Sequence, residues 1–123
     1  LLSDAVPGAV GPVRAGKVKA IGIADQRRSP FLPDVPTVAE QGIQGVVAVG
    51  WIGLSAPAKT PEPILDKISA GVMRILTDPA VLEKMNTLSF VPAKESRQEF
   101  EAYIAVENMK WRKIIQDAGV KIE

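Results

Sequence analysis

The stretch "AGKVKAIGIADQRRSPFLPDVPTVAEQG", residues 15–42, decides how the chain is read. Its first half, 17–24, is apolar and partly β-branched, bounded by Gly16 and a polar loop. That pattern predicts a buried strand of the kind found inside a parallel sheet. The second half carries Pro30, Pro33 and Pro36. Proline fixes φ and has no amide hydrogen, so 25–36 is neither a central strand nor a helix. Thr37 and Glu40 have the T-x-x-E spacing of a capping box, and Gly42 stands where the short helix they open would stop. The segment has the order of a motif, yet it holds no nucleophile, metal ligand or phosphate loop. It reads as an ordered connector in which Arg28 pairs with Asp34 or a nearby carbonyl; direct contact with a ligand or partner is the alternative.

Upstream, 4–15 reads as a short helix weakened by two glycines and two prolines, with Asp4 capping its start and Gly16 ending it. Downstream, "VVAVGWIGLSAP" (46–57) is the most apolar stretch and reads as a second strand, in which Gly50 and Gly53 permit a bend. Thr60 is a suitable N-cap and Pro61 suits the first helical position. Ile64, Leu65, Ile68, Val72, Ile75 and Leu76 recur at helical spacing, so 61–77 reads as an amphipathic helix. Asp78-Pro79 opens another helix over 79–87, and 89–93 is a short extended piece. Ser96 and Glu99 form a second capping box, opening the longest helix, 97–117. Phe100, Ile104, Trp111, Ile114 and Ile115 line its apolar stripe, and Gly119 ends it. Two strands make a poor independent sheet. Neighbours must come from a further segment or from association of chains.

Composition narrows the function. The chain has 123 residues, 46% hydrophobic and 24% charged, which fits one globular domain with a sizeable core. Its 15 basic and 14 acidic residues leave a net charge of +1, so no broad nucleic-acid or membrane-binding surface is expected. There is no cysteine, which excludes disulfides and thiolate metal sites, and no histidine, the commonest general base and metal ligand. No G-x-S-x-G is present. Glu95, Glu99, Glu101 and Glu107 read as an ordinary charged helix face. No catalytic residue, metal site or cofactor is therefore expected. No signal peptide or membrane span is visible, and a start without Met suggests a processed chain or a fragment.

Several ordered runs together carry a resemblance. They are Gly16, Lys17, Lys19 and Ala20; then Arg28, Ser29, Leu32, Pro33, Asp34, Val35, Pro36, Thr37, Glu40 and Gly42. Next come Trp51, Gly53, Leu54, Ala56, Pro57, Thr60 and Pro61, then Asp78-Pro79. Glu107, Trp111, Ala118, Gly119 and Val120 close the pattern. The chain resembles the Bug-type solute receptors of tripartite tricarboxylate transporters, bacterial periplasmic binding proteins, and specifically their last two-fifths. The resemblance implies an α/β class: a partial type II periplasmic-binding-protein (Venus flytrap) fold with few strands, several helices and a long C-terminal helix. It implies that 1–45 belong to the second lobe, that 46–54 form an inter-lobe crossing strand, and that 55–123 supply C-terminal helices of the first lobe. The expected whole is a periplasmic receptor that binds a small carboxylate or related metabolite and delivers it to membrane transporter subunits. By the same resemblance Ser3 and Asp4 fall at the mouth of the second lobe, where Ser3 would donate to a carboxylate and Asp4 would accept from a ligand group or a bridging water. Ser3 stands where the family carries Phe, and Asp4 also reads as a plain N-cap. Trp51, on the crossing strand, either lines the cleft or packs into the core. Trp111 reads as core, and Lys110, Arg112 and Lys113 as a solvated helix end. The alternative to a receptor is a homo-oligomer of the fragment, self-associating and binding no solute.

Overall fold

The computed structural model describes residues 2–120. Four helices are present among them: α1 (Val6–Arg14), α2 (Glu62–Ile75), α3 (Pro79–Thr87) and α4 (Arg97–Asp117). The chain forms two compact units. One runs to Ala58 and takes in Pro79–Val91; the other comprises Lys59–Asp78 and the residues from Pro92 onward.

The first unit is built on α1 and the proline connector. Val6, Val10 and Val13 recur at i, i+4 and i+7, so they share one helix face. Val10 is buried there with Ile23 and Leu32, and Phe31 and Val35 pack around them. Pro12 removes one ladder hydrogen bond, and the helix stops two residues later. Gly16, at φ +67°, closes it: its N–H donates to Val13 O and that of Lys17 to Pro12 O, a Schellman ending. Asp4 does not cap the helix as expected. Ala5 is the N-cap residue, and Asp4 Oδ1 accepts from the Ala5 N–H at 2.8 Å, one residue too early to reach the free amides of the first turn.

Neither expected strand forms among the described residues. Of the 17–24 run, only Ile23 pairs, in an isolated parallel bridge with Thr37. Its N–H donates to Pro36 O and its carbonyl accepts from the Val38 N–H, both at 2.9 Å. The ladder does not extend backward, because its next bond in register would come from the amide hydrogen that Pro36 lacks; Ile21 O accepts from Gln41 Nε2 instead. In the 46–57 run the Ala48 N–H donates to Ala24 O at 2.8 Å, but no ladder follows. A strand is defined by its neighbours, and this chain gives these two runs one short, proline-broken neighbour. The helix expected at 37–42 is a single closed turn. Its capping box is made, and the Ile43 N–H donates to Val38 O across Gly42 at φ +89°.

Helix α3 has the expected bounds. Residue Ser89 follows in the left-handed region at φ +61°, where the Ser89 and Phe90 amides donate to Asn86 O and Met85 O. The same Schellman geometry thus falls on a non-glycine residue, so Ser89 belongs to the helix ending and not to the extended piece expected over 89–93; 90–93 form no helix or ladder.

In the second unit, α2 begins one residue later than expected. Pro61, not Thr60, is the N-cap, without a side-chain hydrogen bond. Three residues of its apolar stripe, Ile64, Ile68 and Ile75, are exposed. Helix α4 keeps its expected bounds, its Ser96–Glu99 capping box and its Gly119 stop. Arg97 in its first turn reaches Glu62 and Asp66 of α2 as well as Glu101, so one guanidinium ties the two helices. Trp111 is not a core residue: it is 40% exposed, as are its stripe neighbours Ile114 and Ile115 to a similar degree.

Candidate functional site

Ser3 and Asp4 lie on the exposed run that leads into α1. The Asp4 carboxylate leans over the first helical turn: a Cβ built on Gly8 would fall 2.8 Å from Oδ2. Glycine at that position is what lets the carboxylate lie so close. There the negative charge meets the positive end of the helix dipole. Trp51 lies on the 46–57 run, which forms no helix or ladder, and is 47% exposed, so it is not buried as a core residue. The contacts described for Asp4 are with Ala5 and Gly8, not with Trp51. The structure thus places Ser3 and Asp4 side by side and leaves Trp51 on a separate segment.

The most tightly organised polar group in the first unit is one that local spacing does not reveal. Arg28 Nε donates to both oxygens of Glu40, at 3.1 and 2.9 Å, and its Nη1 donates to Pro33 O at 3.2 Å. Its partner is therefore Glu40, not Asp34, and the carbonyl is that of Pro33. Glu40 also accepts the Thr37 N–H at 2.6 Å, while Thr37 Oγ1 accepts the Glu40 N–H at 3.1 Å. The Arg28 guanidinium, followed by the Thr37 amide, lowers the Glu40 carboxyl to about 2. Gln41 completes the clasp by donating to Ile21 O at 2.9 Å and to Thr37 O at 3.3 Å. Chemically this is a brace. It fixes the proline connector against the Ile23 segment and commits the Arg28 charge to Glu40.

The second unit carries two more charged groups. Helix α4 presents Glu107, only 8% exposed, which accepts from the Trp111 Nε1–H at 2.9 Å and from Lys110. Lys110 in turn lies 5.3 Å from the Trp111 ring centroid. Glu107 is thus no ordinary surface carboxylate and Lys110 no simply solvated lysine: the two form a cluster with the indole. The lysine, more than the indole N–H, holds the Glu107 carboxyl below the usual range. A groove of about 360 Å³ lies beside Arg97, lined by Ser69, Met73, Lys94 and Gln98 among others. Arg97 would be its natural carboxylate ligand, but its charge is already committed to three carboxylates. Among the described residues no group of His, Cys, Asp or Glu is arranged to hold a metal, and no helix is long and apolar enough to cross a membrane.

Comparison with known proteins places this arrangement in a class. Residues 3–120 match the family described as the tripartite tricarboxylate transporter family receptor, and the chain belongs to that family. A UPF0065 protein from the TAR-I ttuE–ttuC′ intergenic region of Agrobacterium vitis is 32% identical over 126 residues. That match takes in 97% of this chain and 35% of the relative. Protein BugT of Bordetella pertussis is 27% identical, over 96% of this chain and 36% of its own length. Two solved structures share the fold. The periplasmic binding protein BugD has a TM-score of 0.78 at 32% identity, covering 94% of this chain and 39% of its own. The R. palustris protein Rpa4515 with adipate has a TM-score of 0.77 at 25% identity, covering 93% and 38%. The chain thus has part of the α/β fold of a periplasmic binding protein and spans little more than a third of the length of the relatives it matches.

Proposed function

We propose that this chain is the C-terminal part of an extracytoplasmic solute receptor. The whole receptor would act in the periplasm, bind a small carboxylate or related metabolite by lobe closure, and deliver it to tripartite tricarboxylate-type transporter subunits without chemical change. The observation that carries this reading is the family match over 3–120, joined by a shared fold with a protein solved with adipate. In this reading 1–45 belong to the second lobe, 46–54 cross between lobes, and 55–123 supply C-terminal helices of the first lobe. Gly50 and Gly53 are the flexing points. The exposure of 46–54, which belongs to no ladder among the described residues, supports a segment that is completed by other parts of a receptor.

Ser3, Asp4 and Trp51 are the contact residues in this proposal. Ser3 donates its hydroxyl to the solute carboxylate. Asp4 accepts from a water or hydroxyl that bridges to the solute, since a direct approach of two carboxylates is repulsive. Trp51 offers an apolar wall to the methylene chain. The test is a hybrid in which this chain replaces the matching part of the adipate-bound R. palustris protein. Asp4→Asn or Trp51→Ala in that hybrid weakens adipate binding tenfold or more. Affinity unchanged by both substitutions removes Asp4 and Trp51 from the site.

A further inference from the structure

Residues 21–24 join two parts of the first unit that lie far apart in sequence. Ile23 uses both of its backbone groups on the connector, its N–H on Pro36 O and its carbonyl on the Val38 N–H. Ile21 O accepts from Gln41 Nε2. The next carbonyl after Ile23, Ala24 O, accepts from the Ala48 N–H at 2.8 Å. Ala48 belongs to the 46–54 run, which forms no helix or ladder. The donor side of this bond hangs from the same place as the acceptor side. The Ile43 N–H donates to Val38 O, so the chain leaves the closed turn a few residues before Ala48.

The clasp centred on Arg28 and Glu40 is what holds that turn to the Ile23 segment. Glu40 accepts from Arg28 and from the N–H of Thr37, the residue bridged to Ile23. A Cβ built on Gly22 would fall 2.8 Å from Gln41 Nε2 and 3.3 Å from Val38 Cγ2, so glycine there leaves Gln41 its place on Ile21 O. No hydrogen bond or ion pair described for Arg28 or Glu40 reaches 46–54.

We propose that the Arg28–Glu40 clasp positions the root of 46–54, and with it the segment that carries Trp51. It acts through loop closure. Without the clasp, the Ala48–Ala24 bond closes a loop of roughly 24 residues; with Ile23 and Ile43 both bonded to Val38, roughly six remain free. Closure becomes less probable as about the −3/2 power of loop length, so the clasp favours this bond about eightfold. Arg28 and Glu40 are therefore positioning residues, acting on a segment they do not bond.

The test is amide hydrogen exchange by NMR on the 123-residue chain, with Glu40→Ala, Gly22→Ala and the control Asp34→Ala. Glu40→Ala removes the shared acceptor of Arg28 and the Thr37 N–H. Gly22→Ala displaces Gln41 without changing any charge. Asp34→Ala removes the same charge as Glu40→Ala from outside the clasp. Expected is an Ala48 amide protected in the wild type and exchanging about five- to tenfold faster in both clasp variants. The control leaves it unchanged, and backbone relaxation shows α1 equally ordered throughout. An Ala48 amide that is unprotected in the wild type, or that neither clasp variant moves, overturns the proposal. So does loss of order in α1 alongside it, which would make the clasp a general support. The consequence for solute capture rests on the receptor reading and is read in the hybrid receptor, well below its melting temperature. There Glu40→Ala weakens adipate binding severalfold; equal affinity with and without the clasp overturns the positioning role. A hybrid that binds no adipate with its clasp intact counts against the receptor reading, and the Ala48 exchange then decides the inference by itself.

Discussion

Leu32→Ala is the sharpest probe of where the first unit keeps its stability. Leu32 is 7% exposed and sits with Val10 and Ile23 at the centre of the cluster. Truncation removes three carbons. At about 0.8 kcal/mol for each buried methylene, the transfer loss is about 2.4 kcal/mol. The cavity left behind adds to this, although Phe31 and Val35 are only partly buried and can relax into it. A total of about 3 kcal/mol follows, a large share of the stability of a small domain. Ile52→Ala removes a side chain of the same size that is 82% exposed, and is expected within about 0.5 kcal/mol of neutral. The assay is urea unfolding followed by circular dichroism, at a concentration low enough to keep the chain monomeric, with both variants compared at equal slope. Equal costs for Leu32→Ala and Ile52→Ala, or a larger cost for Ile52→Ala, would refute the placement of the core.

Other perturbations follow from local geometry. Ser89→Gly relieves the left-handed strain at the end of α3 and raises stability by about 0.5–1 kcal/mol, read as a shift in the urea midpoint. Ser96→Ala removes the side-chain acceptor for the Glu99 N–H and lowers stability by about 1 kcal/mol, with loss of order in the first turn of α4 seen by amide hydrogen exchange. The Glu40 carboxyl titrates lower in the folded chain than in the unfolded one. Its contribution is therefore present above about 4.5, and it is lost as the pH falls from there through about 2. NMR titration should show the Thr37 amide shifting in that window in the wild type and staying put in Glu40→Gln.

The features read correctly from the sequence are those whose chemistry is local. Gly16, Gly119 and the Ser96–Glu99 box lie within a few residues of what they terminate or cap, so their spacing carries the whole signal. The capping box at Thr37–Glu40 was legible for the same reason, even though it closes one turn and not a helix. The strands at 17–24 and 46–57 were not, because apolar β-branched composition states a preference while the ladder depends on a neighbour elsewhere. Arg28 chooses Glu40, twelve residues on, over the nearer Asp34 because the closed turn delivers that carboxylate to it. No short-range pattern encodes that choice. Glu107 and Trp111 stand at i, i+4 on one helix face, a spacing that permits their hydrogen bond. Their partial burial depends on packing that spacing alone does not disclose. The family resemblance supplied the fold, and the chain's own contacts supplied only its braces and caps.

Direct titration of adipate into the hybrid receptor, by calorimetry, addresses the central claim. Expected is a saturable one-to-one isotherm and a raised melting temperature, neither of which acetate reproduces. A cooperatively folded hybrid that takes up no dicarboxylate would contradict the proposal that this chain is part of a carboxylate-binding receptor.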